Sequence, residues 1–269
     1  MDLQLNGKKA IVTGGSEGIG KAIALGLAQE GVDVAICARR KEPLEATAKE
    51  IADATGQNII AITADLTDTG QANAFIEGAV DALGGVDILV NNAGAATGGV
   101  LEYLSDEQWE DALQLKFFGY VRCTRAVLPH FKKAGGGRVV NLIGNDGVKH
   151  SYWEIAPGAA NAAGQNLTIS LAGQYGKDNI SFVAVNPGPV RTERWAGLVR
   201  GMARDMNLSI EEADQLAPRS IPLGRIAETV EVANLVTYLS SPLAHFVNGT
   251  MIEIDGGQQK PMMDAFRDG

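Results

Sequence analysis

Between an apolar, β-like run at residues 8–13 and a helical pattern reaching about Glu30, the chain carries Thr13-Gly14-Gly15-Ser16-Glu17-Gly18-Ile19-Gly20. Glycines at a strand-to-helix junction let the backbone turn tightly. They also let a pyrophosphate approach the helix N-terminus, where unpaired N–H groups and the helix dipole favour an anion. Taken alone, such a turn is a weak signal, compatible also with a tight corner that binds nothing. Its meaning depends on the rest of the chain.

Beyond the turn, the pattern is a regular alternation. Further short apolar runs stand at residues 32–37, 58–64, 86–90, 138–142, 181–185 and 250–254, with helical patterns between them. Near-continuous apolar strands separated by helices argue for a parallel sheet covered on both faces. The expected fold is therefore α/β, a doubly wound, Rossmann-type sheet of about seven strands with helices on both faces. Ser105 with Gln108 reads as a capping box opening a long helix to about Lys133. A second helix is expected over residues 152–175, with Pro157 tolerated in its first turns. No linker or composition shift divides residues 1–269, so a single dinucleotide-binding domain is expected. The least regular stretch, residues 191–221, reads as a substrate-side insertion over one edge of the sheet.

Composition narrows the function classes. There are 23 Lys+Arg against 32 Asp+Glu, a formal net charge of −9, and no basic stripe, which argues against a nucleic-acid partner. No apolar stretch reaches the ~18–20 residues needed to span a bilayer, so no membrane partner is expected. The two cysteines, Cys37 and Cys123, lie in apolar patterns and read as reduced filler of a cytoplasmic protein.

The spacing Thr13-Gly14-x-x-x-Gly18-x-Gly20 resembles the signature of the short-chain dehydrogenase/reductase family. Other segments resemble that family in order along the chain: Asp65-Leu66, Asn91-Asn92-Ala93-Gly94, Asn186-Pro187-Gly188-Pro189-Val190-Arg191-Thr192 and Asp255-Gly256-Gly257. The resemblance covers nearly the whole chain. It implies a cofactor site made by Gly14, Ser16, Glu17, Gly18, Ile19 and Gly20 at the pyrophosphate. Asp65 and Leu66 would lie at the adenine, Asn91, Ala93 and Gly94 would join the cofactor site after the fourth strand, and Asn161, Pro187, Gly188, Val190 and Thr192 would lie on the nicotinamide side. It also implies a homo-oligomer, a tetramer or dimer, acting on a small-molecule substrate.

Cofactor choice depends on the end of the second strand. NAD-preferring proteins usually carry an acidic residue there for the ribose hydroxyls. This chain carries Arg39 and Arg40, whose forked donors suit a 2′-phosphate. NADP(H) is expected over NAD(H), with Glu17 counting mildly against it.

The reacting centre departs from the family pattern. That pattern implies a Tyr–x–x–x–Lys pair one helical turn apart, a Ser, and an Asn on the preceding helix. Here the five tyrosines are followed four residues on by Glu107, Thr124, Ala156, Asn179 and Pro242. In the register set by Val139-Val140-Asn141 and Leu167-Thr168-Ile169-Ser170, Gly144 stands at the Ser position. Pro157 then stands at the Tyr position, Asn161 at the Lys position and Lys116 at the Asn position. The expected candidates for a substitute site are His150, Tyr152, Lys116 and Asn161. His150 titrates nearest neutral pH, Lys116 carries a cation, and the Asn161 amide can hydrogen-bond a ribose hydroxyl. Each has a plainer role: His150 and Lys149 in a solvated loop, Tyr152 and Trp153 in packing, Lys116 reaching out to solvent.

The expected function is an NADP(H)-dependent oxidoreductase acting on a small carbonyl or alcohol through a non-standard site. The alternatives are a catalytically inactive NADP-binding regulator or subunit, and a non-redox enzyme reusing the pocket. Substrate choice would lie with residues 191–221, where Trp195, Leu198 and Met202 offer an apolar wall, and with the C-terminal tail.

Overall fold

The computed structural model describes residues 1–94 and 97–265. Its centre is a sheet whose strands are Lys9–Thr13 (β1), Asp33–Ala38 (β2), Ile59–Thr63 (β3), Ile88–Asn91 (β4), Gly137–Leu142 (β5), Ile180–Pro187 (β6) and Thr250–Ile254 (β7). The order is β3-β2-β1-β4-β5-β6-β7, every pair parallel. Val12 stands opposite Ile36 on one side and Val90 on the other. The central strands are buried on both faces, which is why they read as unbroken apolar runs rather than alternating ones.

Two cores flank the sheet. On one face Gly18–Gln29 (α1), Lys41–Thr55 (α2) and Thr229–Ser240 (α9) bring Ile23, Leu27, Leu44, Ile51, Val232 and Val236 onto the sheet. On the other, Thr69–Leu83 (α3), Gly119–Ala134 (α5) and Ile155–Tyr175 (α6) contribute Phe75, Ile76, Val127, Phe131 and Ala172. Burial pushes the Cys37 thiol up to about 12 and raises that of Cys123 too, so both sit as unreactive core atoms.

The chain order reverses outward from β1 and β4, leaving a crevice at the carboxyl ends of the strands, the usual ligand position of an open α/β sheet. Residues 191–221, irregular by sequence, fold largely into helices: Glu193–Met206 (α7) and Ile210–Leu216 (α8). Thr192 caps the first, accepting from the Trp195 N–H at 3.3 Å, and a Ser209/Glu212 capping box opens the second. Trp153, Trp195, Val199, Met202, Met262 and Met263 form a third apolar cluster beneath them.

The capping box at Ser105 and Gln108 is present and starts Asp106–Leu113 (α4). This helix does not run straight on into α5. Gln114–Phe118 forms a π turn between them, the kind of interruption often found where a helix serves a site. Among the described residues no helix is long and apolar enough to cross a membrane.

Candidate active site

The Gly-rich turn is built for close approach. Gly14 has φ +68° and Gly18 φ +57°, backbone that side-chain-bearing residues rarely adopt. A Cβ on Gly14 would lie 2.9 Å from the Ala93 Cα. The Thr13 hydroxyl oxygen accepts the N–H groups of Asn92 (2.8 Å) and Ala93 (3.0 Å), and the Asn92 amide donates to the Thr13 carbonyl at 3.0 Å. The ends of β1 and β4 are thereby stitched together under the turn. Helix α1 starts with no side-chain cap and no acidic residue in its first turn, so its leading N–H groups face the crevice as an anion site. Those features fit a dinucleotide pyrophosphate.

From this turn a cleft of about 650 Å³ extends in both directions. At one end it is lined by Arg39 and Arg40, at the other by Lys116, Gly144, Asp146, Glu154 and Asn161. Of the cofactor residues expected from sequence, Gly14, Ser16, Glu17, Gly18, Ile19, Gly20, Leu66, Ala93, Gly94, Pro187, Gly188, Val190 and Thr192 also line it. Asp65 and Asn91 do not stand among the lining residues. The Asp65 carboxylate accepts from the Thr67 N–H (3.0 Å) and hydroxyl (2.8 Å), which lowers its pKa and fixes the turn after β3. Asn91 is fully buried and donates to Asn141 at 2.9 Å and Thr124 at 3.2 Å, tying β4 to β5 and α5. Arg40 pairs with Glu17 at 2.7 Å, both half-exposed. Glu17 thus acts on the basic pair directly.

The opposite end is where buried charge collects. The π turn places Lys116 inward with 8% exposure, its Nζ donating to the Ile143 carbonyl at 2.6 Å. Its stem runs over Gly94, where a Cβ would meet Lys116 Cδ at 3.2 Å. Burial pushes the Lys116 pKa down to about 8, against the pull of Asp146 and Glu154 and aided by Arg194. Lys116 therefore does not reach out to solvent.

Around it, Asn161 donates through Nδ2 to the Asp146 carboxylate, while its own Oδ1 is buried with no partner. An orphaned buried acceptor costs free energy unless a ligand donor meets it, and Asn161 is one of the residues that line the cleft. A Cβ on Gly144 would lie 2.6 Å from both Asp146 Oδ1 and Asn161 Nδ2, so the Asp146 carboxylate fills the space a larger residue would use.

Residues 144–154 form a fixed polar loop. The Asn145 amide donates to Gln258 (2.8 Å) and Asp255 (3.2 Å), Lys149 pairs with Asp255, and the Ser151 hydroxyl donates to Asp264 at 2.7 Å. Lys149 is thus held by the closing Asp255-Gly256-Gly257 segment rather than solvated. Of the four candidate catalytic residues, Lys116 and Asn161 come together in the cleft. His150 is exposed on the loop, and Tyr152 packs beside the Trp153–Trp195 cluster; neither is among the lining residues.

Among the charged residues that line the cleft, Asp146, Glu154, Glu193 and Arg194 had no assigned role in the sequence. Two of them lie in the polar 144–154 segment, which was the available signal. Trp195 and Leu198 of the expected apolar wall face the cleft with Met262, while Met202 lies behind them in the cluster. Of the C-terminal tail, residues 266–269 lie outside the described residues.

The family model for short chain dehydrogenase matches residues 8–202, and the chain belongs to that family. It is 32% identical over 251 residues to the 3-oxoacyl-[acyl-carrier-protein] reductase FabG of Staphylococcus aureus, covering 93% of this chain and 97% of that one. Among solved structures it resembles the L-sorbose reductase of Gluconobacter frateurii complexed with NADPH and L-sorbose. That likeness has a TM-score of 0.91 at 30% identity over 97% of this chain and 99% of that one. An actinorhodin polyketide ketoreductase with NADPH is equally similar, with a TM-score of 0.91 at 33% identity over 94% and 97% of the two chains.

Proposed function

We propose that the chain is an NADP(H)-dependent oxidoreductase interconverting a small carbonyl compound and its alcohol, through a proton-handling set that differs from the family's. The observation that carries this reading is one continuous cleft, with a guanidinium pair at one end and a buried lysine beside an orphaned amide oxygen at the other. Bound NADPH would supply the hydride for the carbonyl carbon, and NADP⁺ would accept it in reverse.

The chain's own residues then have distinct tasks. Arg39 and Arg40 grip the 2′-phosphate, and the first turn of α1 receives the pyrophosphate. Asn161 Oδ1 takes a ribose hydroxyl proton in hydrogen bonding. Lys116, held on Ile143, sets a positive charge where the substrate oxygen gains negative charge, and burial strengthens that interaction over its value in water. Trp195, Leu198 and Met262 give the substrate an apolar wall. Carbonyl reduction is also the common thread of the relatives, one acting on 3-oxoacyl groups and one crystallised with L-sorbose. From the family resemblance, and with both cysteines as buried free thiols, we assign a homo-oligomer in the cytoplasm.

A second reading rests on Gly144 and Pro157, which offer no side-chain donor: a cofactor-binding subunit without redox turnover. Titration with NADPH and NADH, followed by a panel of ketones, aldehydes and alcohols read at the nicotinamide absorbance, separates the two. Tighter NADPH binding with turnover of one panel member is the expected result. Tight NADPH binding with a silent panel favours the second reading, and consumption of a substrate without a nicotinamide change points to non-redox chemistry.

A further inference from the structure

Glu154 stands at the entry to α6, carried on a segment whose position is set from several sides. The preceding Trp153 carbonyl accepts from the Gly99 N–H at 2.6 Å, and the Trp153 indole donates to Asp205 at 2.8 Å. The Ser151 hydroxyl accepts the Glu154 N–H at 3.1 Å, and the Glu154 carbonyl accepts from Gly158 at 2.8 Å. Its backbone is pinned on both sides, yet among the described residues no hydrogen bond or ion pair engages its carboxyl group.

Glu154 lines the same end of the cleft as Lys116, Gly144, Asp146 and Asn161. Its neighbours there have commitments: Asp146 accepts the Asn161 amide, and Lys116 donates to Ile143. A cleft-facing acid without a partner, beside a buried cation, is arranged to meet a ligand oxygen rather than to hold the fold.

We propose that the Glu154 carboxyl exchanges the proton with the substrate oxygen in this cleft. This inference rests on the oxidoreductase reading above. In the reducing direction, hydride from a reduced nicotinamide dinucleotide forms the new C–H bond, and the carbonyl π pair moves onto oxygen. That oxygen takes the proton as the Glu154 O–H bond breaks, and the carboxylate is reprotonated from water. Oxidation of the alcohol runs the same bonds backward, with the carboxylate as base.

The surroundings suit the role. Burial raises the Glu154 pKa to about 7, and the negative charges of Asp146 and Asp264 push the same way. Arg194 of α7 and Lys116 of the π turn pull it down. An acid balanced near neutrality can both give and take a proton.

The test uses the full-length protein and the Glu154→Gln and Glu154→Asp variants. Infrared difference titration of the cofactor-free protein should show a protonated carboxyl band that disappears across neutral pH and is missing in Glu154→Gln. With NADPH and a reducible ketone, Glu154→Gln should bind NADPH within about threefold of the parent while kcat falls on the order of 10²- to 10⁴-fold. Glu154→Asp should recover part of that loss with a shifted pH profile. A parent protein lacking the titrating band, or a Glu154→Gln variant with parental kcat, overturns the assignment of Glu154 alone. A parent that binds NADPH and turns over no carbonyl or alcohol overturns the oxidoreductase reading, and this inference with it.

Discussion

The two ends of the cleft are made in different ways. The phosphate end is backbone: glycines at positive φ, the bare N-terminus of α1, and two strand ends stitched by Thr13 and Asn92. The reacting end is side chains, brought from the π turn, the loop after β5, the start of α6 and the start of α7. Charge is also treated oppositely. Arg40 and Glu17 pair in open water, where an ion pair contributes little. Lys116 is buried and Glu154 half-buried, where a charge is costly and burial lowers the lysine pKa and raises that of the carboxyl group. The first end offers a nucleotide mainly backbone groups, held in place by glycines and by Thr13, whereas the second offers individual side chains.

The sharpest way to break that contrast is Lys116→Met. If the reacting end works through this cation, kcat should fall on the order of 10²- to 10³-fold while the NADPH dissociation constant stays within about threefold. Stopped-flow turnover beside fluorescence titration reads both. A matching loss of NADPH affinity would show that Lys116 serves the cofactor, and the two ends would no longer be separable.

At the phosphate end the expected effects are smaller. Arg39→Ala removes charge-assisted donors worth about 1.5–3 kcal/mol, so NADPH binding should weaken roughly 10- to 100-fold with NADH nearly unchanged. Glu17→Gln should act the other way, tightening NADPH about threefold by releasing Arg40 and removing a like charge beside the phosphate. Equal effects on both nucleotides would place the 2′-phosphate elsewhere.

The contrast also explains what the sequence could reveal. The strand runs and the Gly-rich turn are local patterns, and the sheet order and the phosphate end conform to them closely. The Ser209–Glu212 capping box and the Thr192 cap were present as local signals within 191–221, and so was the amphipathic spacing of Trp195, Val199, Met202 and Ala203 along α7, which the reading of that stretch as irregular passed over. The convergence of Lys116, Asp146, Glu154 and Arg194 has no local signature, because contacts between π turn, loop and two helices bring them together. Asn91 and Asp65 fit the family's order along the chain, yet their side chains are engaged in holding β4 and the turn after β3.

Buried charge leaves a mark on stability versus pH. The Lys116 pKa is lowered on folding, from 10.5 to about 8, so between those values the unfolded chain holds a proton that the folded chain does not. Its contribution therefore improves as pH rises from about 8 to about 10.5. The Glu154 pKa is raised on folding, from 4.5 to about 7, so its contribution is fully present below 4.5 and declines as pH rises through 7. Together they place the largest electrostatic cost of the reacting end between about pH 7 and 8. Lys116→Met should then raise stability near pH 7.5 by about 1–2 kcal/mol after loss of its bond to Ile143, and flatten the alkaline limb. Urea titrations of parent and variant across pH 5–10 (about one unit apart) would read this. A variant less stable than the parent at neutral pH would mean that Lys116 supports the fold rather than burdening it.

The smallest effect tests the proposal that this end is arranged around Asp146 and Asn161 rather than around a serine hydroxyl. Gly144→Ser adds a hydroxyl at the position where the family resemblance expects a serine. Its Cβ would arrive 2.6 Å from Asp146 Oδ1 and Asn161 Nδ2, closer than side chains tolerate, so that hydrogen-bonded pair must separate to admit it. Displacing one buried charged hydrogen bond should cost about 1–2 kcal/mol in stability. It should also lower kcat several-fold rather than raise it, because Asp146 then moves relative to Lys116 and Glu154. Thermal melting and turnover measured on the same preparation check both. A gain in kcat would mean that the serine had merely been lost. A loss would mean that Asp146 and Asn161 occupy the space as working parts, and that the two ends of the cleft differ in kind because only one has been rebuilt.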